Sequence, residues 1–254
     1  MRRAYGGSVV LDSYGRITSL ALDPIEKKPL AQFILGSYVL SVGSFGCNLC
    51  CPFCQNASIA HVGINEAHWQ AITPEELVDQ ARALRSRGNV GLVYTYNEPL
   101  VNFEFVRDCA RLAHDSGLIN VLVSNGMANT TVIDELVPLM DAVNIDLKGF
   151  SQKFYDFLGG DFETVKHSIC AFVRSVQCHV EVTTLIFPDL NDSDEEIDQL
   201  SRWIADMDEC IPYHVSRFFP CYQMNDVKPA PVSMVYHLAE VARKHLRFVY
   251  TGNC

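Results

Sequence analysis

From residue 38 onward, short apolar runs recur along the chain: 38–42 (YVLSV), 91–96 (GLVYTY), 120–124 (NVLVS), 142–147 (AVNIDL), 180–186 (VEVTTLI), 214–218 (HVSRF) and 248–250 (FVY). Each is too short for a helix and most are rich in β-branched residues, so each predicts a buried strand. The intervening segments carry helical periodicity and helix-start signals. Thr73-Pro74-Glu75-Glu76 is a capping box with proline at the first helical position, and Gly88 closes that helix. Ser193-Asp194-Glu195-Glu196 repeats the box ahead of an apolar face formed by Ile197, Leu200, Trp203 and Ile204. Apolar strands separated by helices predict an α/β fold, with a parallel sheet covered on both faces.

Ahead of this alternation, residues 8–22 read as a hairpin, SVVL and RITSLAL flanking a turn around Asp12-Ser13-Tyr14-Gly15. Residues 23–30 (DPIEKKPL) have the composition of a solvated connector. No Pro/Gly/Ser-rich linker or low-complexity stretch divides the chain. Residues 1–254 are therefore expected to form one domain, a hairpin extension over 1–35 and a barrel over 36–254. No G-x-G-x-x-G turn follows any predicted strand, which argues against a dinucleotide-binding sheet.

The chemistry gathers at the ends of these strands. Cys47, Cys50, Cys51 and Cys54 fall within eight residues directly after the first strand. Thiolates packed so closely repel one another unless a metal or an iron–sulfur cluster shares their charge. A zinc knuckle would want a second ligand pair downstream, and the remaining six cysteines are scattered. Read as C-x-x-x-C-x-x-C, Cys47, Cys51 and Cys54 supply three ligands and leave Cys50 over. Three thiolates on a four-iron cubane leave one iron open for catalysis, although an electron-transfer centre would use the same residues.

Three further strands end in polar groups. Glu98 follows the second predicted strand, where it either binds a ligand or caps the next helix. Ser124-Asn125-Gly126 ends the third with a turn dipeptide. Asp146 and Lys148 close the fourth, either as a plain ion pair or as part of a site. In a β/α barrel these positions share one rim, the carboxyl-end face on which active sites are built.

Composition excludes several classes. The net charge of −10 disfavours binding to a nucleic-acid backbone. No stretch approaches the ~20 apolar residues that span a bilayer. Met1-Arg2-Arg3 is followed by Ala-Tyr-Gly-Gly-Ser and not by the apolar core of a signal peptide. With clustered cysteines unsuited to disulfides, the expected setting is a reducing cytoplasm.

The order GSFGCNLCCPFCQN, YTYNEP, VSNG, NIDLKGF, TTLIFPDLNDSDEEI and VYTGN, with DPIEKKPL ahead of it, resembles the radical S-adenosylmethionine (SAM) superfamily. It is most similar to the branch related to glycyl-radical-enzyme (pyruvate formate-lyase) activating enzymes, and within that to AmmeMemoRadiSam-type enzymes. The resemblance implies a partial (β/α)6 TIM-like barrel and a [4Fe-4S] cluster held by Cys47, Cys51 and Cys54, which serve as both metal ligands and catalytic residues. SAM is then the co-substrate, cleaved to give a 5′-deoxyadenosyl radical that abstracts hydrogen. By the same resemblance Glu98 contacts the SAM amino group, and Phe53, Ser124, Asn125, Asp146, Lys148 and Thr184 belong to the cofactor pocket. The implied partners are a reduced donor such as flavodoxin or ferredoxin and a partner protein as substrate, with another protein or a small molecule as the alternative. Two features depart from relatives. No cysteine precedes Cys47, so accessory clusters are not expected, and Arg217-Phe218-Phe219-Pro220-Cys221 stands where a histidine is often found. The hairpin and residues 221–231 are expected to cover the barrel mouth in part.

Overall fold

The computed structural model describes residues 2–254. The chain opens with β1 (Arg2–Tyr5) and β2 (Ser8–Leu11), paired antiparallel. Gly6 and Gly7 between them both have positive φ, the requirement of a tight two-residue hairpin turn. The hairpin therefore lies over residues 2–11 and not over 8–22 as expected. Residues beyond Gly15 pair elsewhere: β3 (Arg16–Ile17) joins a later strand, and β4 (Ser19–Pro24) runs antiparallel to β5 (Tyr38–Gly43). The short helix α1 (Ala57–Ala60) follows the cysteine segment, and β6 (Gln70–Ala71) is the partner of β3.

The alternation then proceeds as α2 (Pro74–Ala83), β7 (Asn89–Tyr94), α3 (Phe103–Asp115), β8 (Ile119–Ser124), α4 (Thr130–Leu136) and β9 (Ala142–Asp146). After β9 come α5 (Gln152–Leu158), α6 (Phe162–Val173), β10 (His179–Ile186), α7 (Asp194–Met207), β11 (Tyr213–Arg217), α8 (Val232–Ala242) and β12 (Val249–Gly252). The sheet order is β12-β11-β10-β9-β8-β7-β5-β4. All neighbours from β5 to β12 are parallel, joined by six helical crossovers, and β4 alone is antiparallel. β4 and β12 are the two edges, so the sheet curls into a (β/α)6 partial barrel that does not close. Each of the seven expected parallel strands is present, with ends shifted by no more than a few residues.

Helix starts follow the local chemistry. Thr73 Oγ1 accepts from Glu76 N–H and the Glu76 carboxylate accepts from Thr73 N–H, a complete capping box. At α7 only half of the expected box forms. Ser193 Oγ accepts from Glu196 N–H, but the Glu196 carboxylate turns to Phe150 N–H at 2.6 Å and so secures the loop after β9.

Two apolar regions hold the fold. The larger lies between sheet and helices and includes Leu92, Leu122, Val143 and Val182 with Ala110, Ile133, Ile169, Leu200 and Leu238. The second lies inside the barrel, where Ile25 and Leu30 pack on Val39, Val93, Val121 and Ala142. Residues 23–32 are thus a plug at the amino end of the barrel and not a solvated connector. The plug is tied down by polar contacts its composition does not advertise. Asn144 Nδ2 donates to Pro29 O, and the N–H groups of Ala31 and Gln32 donate to the Glu181 carboxylate, at 2.9 Å each. The β1–β2 hairpin and its following turn lie against α3 through Arg2–Glu104 and Tyr14–Asp108, and none of these four residues lines the cavity at the barrel mouth.

Candidate functional site

The plug closes one end of the barrel interior, and a cavity of about 250 Å³ opens at the other, among the carboxyl ends of the strands. Cys47, Cys51 and Cys54 line it together with Phe53, Glu98, Ser124, Asn125, Asp146 and Lys148. Cys50, by contrast, is exposed, and its sulfur lies near Gly159 on the far side of the loop. Side chains alternate along a strand, and on β10 this puts Thr183 and Leu185 into the cavity. Thr184, expected in the pocket, is fully buried behind the sheet and donates to Leu147 O at 2.7 Å. Its place is taken by Thr183, one residue earlier.

The cysteine loop is fixed from the second strand end. Asn97 Oδ1 accepts from Ser44 N–H at 2.8 Å, and Asn97 Nδ2 donates to Gly46 O at 3.0 Å. Asn56 Nδ2 donates to Tyr96 O at 2.7 Å from the other end of the loop. Phe53 is anchored among aromatic rings, 5.2 Å from Phe187, 6.4 Å from Phe154 and 6.5 Å from Phe218 between centroids. Residues 221–223 brace the same loop: Gln223 N–H donates to Pro52 O, Cys221 Sγ donates to Phe53 O, and Tyr222 stacks on His61.

Glu98 is buried and accepts three hydrogen bonds: Leu100 N–H and Ser124 Oγ–H on Oε1, Asn125 N–H on Oε2. It caps the short 3-10 turn that follows it and also lines the cavity, so capping does not take it out of reach of a ligand. Burial pushes its carboxyl up to about 7 against the three donors that hold it down. Asn125 Nδ2 donates to Asn48 Oδ1 at 2.9 Å and points a weaker contact at Cys47 Sγ, 3.6 Å away. Asp146 and Lys148 form the expected ion pair at 2.6 Å, with both side chains on the cavity wall. Burial works against the Lys148 ammonium, but the charges of Asp146 and Cys51 outweigh it and hold its proton well above the lysine range.

The thiols fit a cluster. Burial raises Cys47 to about 12, with Glu98 adding to it, and Cys51 to about 11. These groups become thiolates only when a cationic centre takes up their charge. A zinc knuckle gathers four ligands on one ion, and among the described residues no three His, Cys, Asp or Glu side chains converge in that way. All three cysteines line one cavity of about 250 Å³.

Comparison with known proteins agrees with this geometry. The sequence model of the Radical SAM superfamily matches residues 41–203, which takes in the cysteine loop and every strand end from β5 to β10. The chain belongs to the radical SAM superfamily. Over 254 residues it is 34% identical to the uncharacterized protein MJ0808 of Methanocaldococcus jannaschii, covering 99% of this chain and 74% of that protein. It is 26% identical over 181 residues to the pyruvate formate-lyase 1-activating enzyme of Escherichia coli K12, covering 66% and 71%. Among solved structures, a radical SAM methyltransferase from Sphaerobacter thermophilus superposes with a TM-score of 0.65 at 17% identity, over 86% of this chain and 67% of that one. As a radical SAM protein the chain has a family implying SAM, a [4Fe-4S] cluster and a reductant. Among the described residues no helix is long and apolar enough to cross a membrane.

Sequence reasoning missed Thr183, Ser216 and Asn253 on the cavity wall. The period-2 alternation of β10 carried the signal for Thr183. Asn253 closes the VYTGN segment, from which no site role was drawn, and Ser216 stands at the end of β11 outside any of the quoted motifs.

Proposed function

We propose that this chain is an activating-enzyme-like radical SAM enzyme that takes hydrogen from a segment of a partner protein. One observation carries the reading: Cys47, Cys51, Cys54, Glu98, Asp146 and Lys148 line a single cavity at the mouth of a barrel left open between β4 and β12. The cluster with SAM supplies one-electron chemistry, cleaving SAM to methionine and a 5′-deoxyadenosyl radical. The protein's own residues do the rest. Cys47, Cys51 and Cys54 would hold the cluster through their thiolates. The Glu98 carboxylate accepts the SAM ammonium, while Ser124 and Asn125 fix that carboxylate in place. Lys148, kept charged by Asp146, would supply a cation to the SAM carboxylate. The Phe53 ring cluster excludes water from the loop.

A partner-protein substrate is supported by the 26% identity to a pyruvate formate-lyase activating enzyme and by the open lateral edge of the barrel. The electron donor is then a reduced flavodoxin or ferredoxin, and the setting cytoplasmic. A tailoring reaction on another peptide is the second reading. It is favoured by the neutral far wall of the cavity, where Thr183, Ser216 and Asn253 suit amide groups better than charged metabolites. Streptococcus suis SuiB bound to the precursor peptide SuiA shares the fold, with a TM-score of 0.63 at 14% identity over 91% of this chain and 51% of that one.

The deciding experiment is anaerobic reconstitution followed by reduction with SAM and candidate partners. Methionine and 5′-deoxyadenosine release, with a glycyl-radical signal on an added partner, would support the activase. Deoxyadenosine release with a covalently altered peptide and no glycyl radical would favour the tailoring enzyme. Neither SAM cleavage nor SAM binding would contradict both.

A further inference from the structure

The plug carries a buried ion pair that the chemistry above does not use. Lys28 Nζ lies 2.8 Å from Asp23 Oδ2, with only 5% and 13% of the two side chains exposed. The Tyr96 hydroxyl donates to the same Asp23 oxygen at 2.8 Å, and the ammonium sits 4.6 Å from the centroid of the Tyr96 ring. Burial pushes the Asp23 carboxyl up, but Lys28 and Tyr96 outweigh it and hold it well below the carboxylate range. Buried ion pairs are seldom retained for stability, because apolar residues of similar volume serve as well or better.

Tyr96 is itself strained. Its φ of +74° lies in the left-handed region, which is costly for a bulky residue and which glycine adopts freely. The opposing residue, Gly43, accommodates the ring: a β-carbon there would come 2.9 Å from Tyr96 Cδ2. A glycine thus stands where the ring needs room, and a tyrosine stands where glycine would be easier. Tyr96 lines the cavity, its carbonyl receives Asn56 from the cysteine loop, and Asn97 and Glu98 follow it directly.

We propose that Asp23 and Lys28 are positioning residues of the SAM pocket, acting through Tyr96 to hold the strained 95–98 turn in the shape that presents Tyr96 and Glu98 to SAM. The inference rests on the SAM reading above. Asp23 grips the hydroxyl, Lys28 covers the ring, and the grip offsets the backbone strain. The plug at the amino end of the barrel is thereby linked to the cavity at the carboxyl end.

The test uses the reconstituted full chain and its Asp23→Asn, Tyr96→Phe, Asp23→Asn/Tyr96→Phe and Tyr96→Gly variants. Iron content, thermal midpoint, SAM affinity by calorimetry and the SAM-induced change in the electron paramagnetic resonance of the reduced cluster are read for each. Iron content is expected to be unchanged throughout. SAM affinity should fall about tenfold in Asp23→Asn and in Tyr96→Phe, with little further loss in the double variant, since the first takes the charge from the Asp23–Tyr96 hydrogen bond and the second removes its donor. Tyr96→Gly should melt no lower than the wild type yet bind SAM more weakly still, a split that a merely structural role does not produce. Tyr96→Phe removes a single oxygen and keeps the test valid should Asp23→Asn fold poorly. Wild-type SAM affinity and resonance in Tyr96→Phe and Tyr96→Gly would overturn the proposal, as would losses that follow the thermal midpoint alone. Wild-type protein that holds a cluster but binds no SAM would overturn the SAM reading along with it.

Discussion

The main-chain N–H of Asn125 reaches the Glu98 carboxylate at 2.8 Å and fastens the end of β8 to the end of β7. With Leu100 N–H and Ser124 Oγ–H on the other oxygen, three donors hold a buried carboxylate against the cavity. Two oxygens offer about four acceptor directions, so room remains for one donor from a ligand. The same residue that caps a turn is thereby prepared to receive an ammonium group.

Glu98→Gln replaces the charge and turns one acceptor into a donor facing Asn125 N–H. SAM affinity is expected to fall about tenfold or more with iron content unchanged, because a charge-assisted hydrogen bond is worth about 1.5–3 kcal/mol. Calorimetry on the reconstituted protein checks it, and unchanged affinity would leave Glu98 with its capping role alone.

Glu98 also predicts a pH dependence. Its carboxyl is raised by burial from the usual value near 4.5 to about 7, so the folded chain binds a proton that the unfolded chain has released. Stability from this group is complete below pH 4.5 and is lost as pH rises to about 7. Relative to Glu98→Gln, the wild type should lose up to about 3 kcal/mol across that window, read by urea denaturation of the cluster-free chain. A difference between the two that is flat in pH would contradict the burial argument.

Glu181 predicts the opposite sign at the other end of the barrel. It accepts from Ala31 and Gln32 N–H and contacts His179 Nε2 at 2.8 Å and His214 Nε2 at 2.5 Å. Burial pushes its carboxyl up, but these partners outweigh it and bring it to about 2. Its contribution is present above pH 4.5 and disappears as pH falls toward 2. Glu181→Ala should cost about 3–5 kcal/mol at pH 7, since it strands the plug's N–H groups and both histidines. The same comparison near pH 2 should show a much smaller cost. Equal costs at both pH values would place the effect in packing and not in charge.

Much of this arrangement was legible in the order of residues, and the exceptions share a physical cause. The β/α alternation is written in continuous apolar runs, and polar residues that interrupt them at their carboxyl ends mark the rim. Cys47, Cys51, Cys54, Glu98, Ser124, Asn125, Asp146 and Lys148 were found in that way or by resemblance, and all of them face one cavity. The plug was not legible, because DPIEKKPL looks hydrophilic until Lys28 finds Asp23 and Tyr96 inside the barrel. Long-range satisfaction of charge leaves no local trace. The hairpin was misplaced because Gly6-Gly7 was passed over for the longer turn at residues 12–15, whereas two glycines at positive φ make the tighter reversal. Thr184 was chosen where Thr183 lines the cavity, a slip of one residue, which on a strand is the difference between the two faces of the sheet.

Cys47, Cys51 and Cys54, without Cys50, are the residues expected to hold a SAM-cleaving cluster at the cavity. The most direct measurement is 5′-deoxyadenosine formation under strong reduction, with iron counted in parallel, for the wild type and for single alanine variants at the four cysteines. About four irons per chain and SAM cleavage are expected for the wild type and Cys50→Ala, with both lost in Cys47→Ala, Cys51→Ala and Cys54→Ala. Cluster and cleavage retained in Cys51→Ala but lost in Cys50→Ala would contradict this assignment.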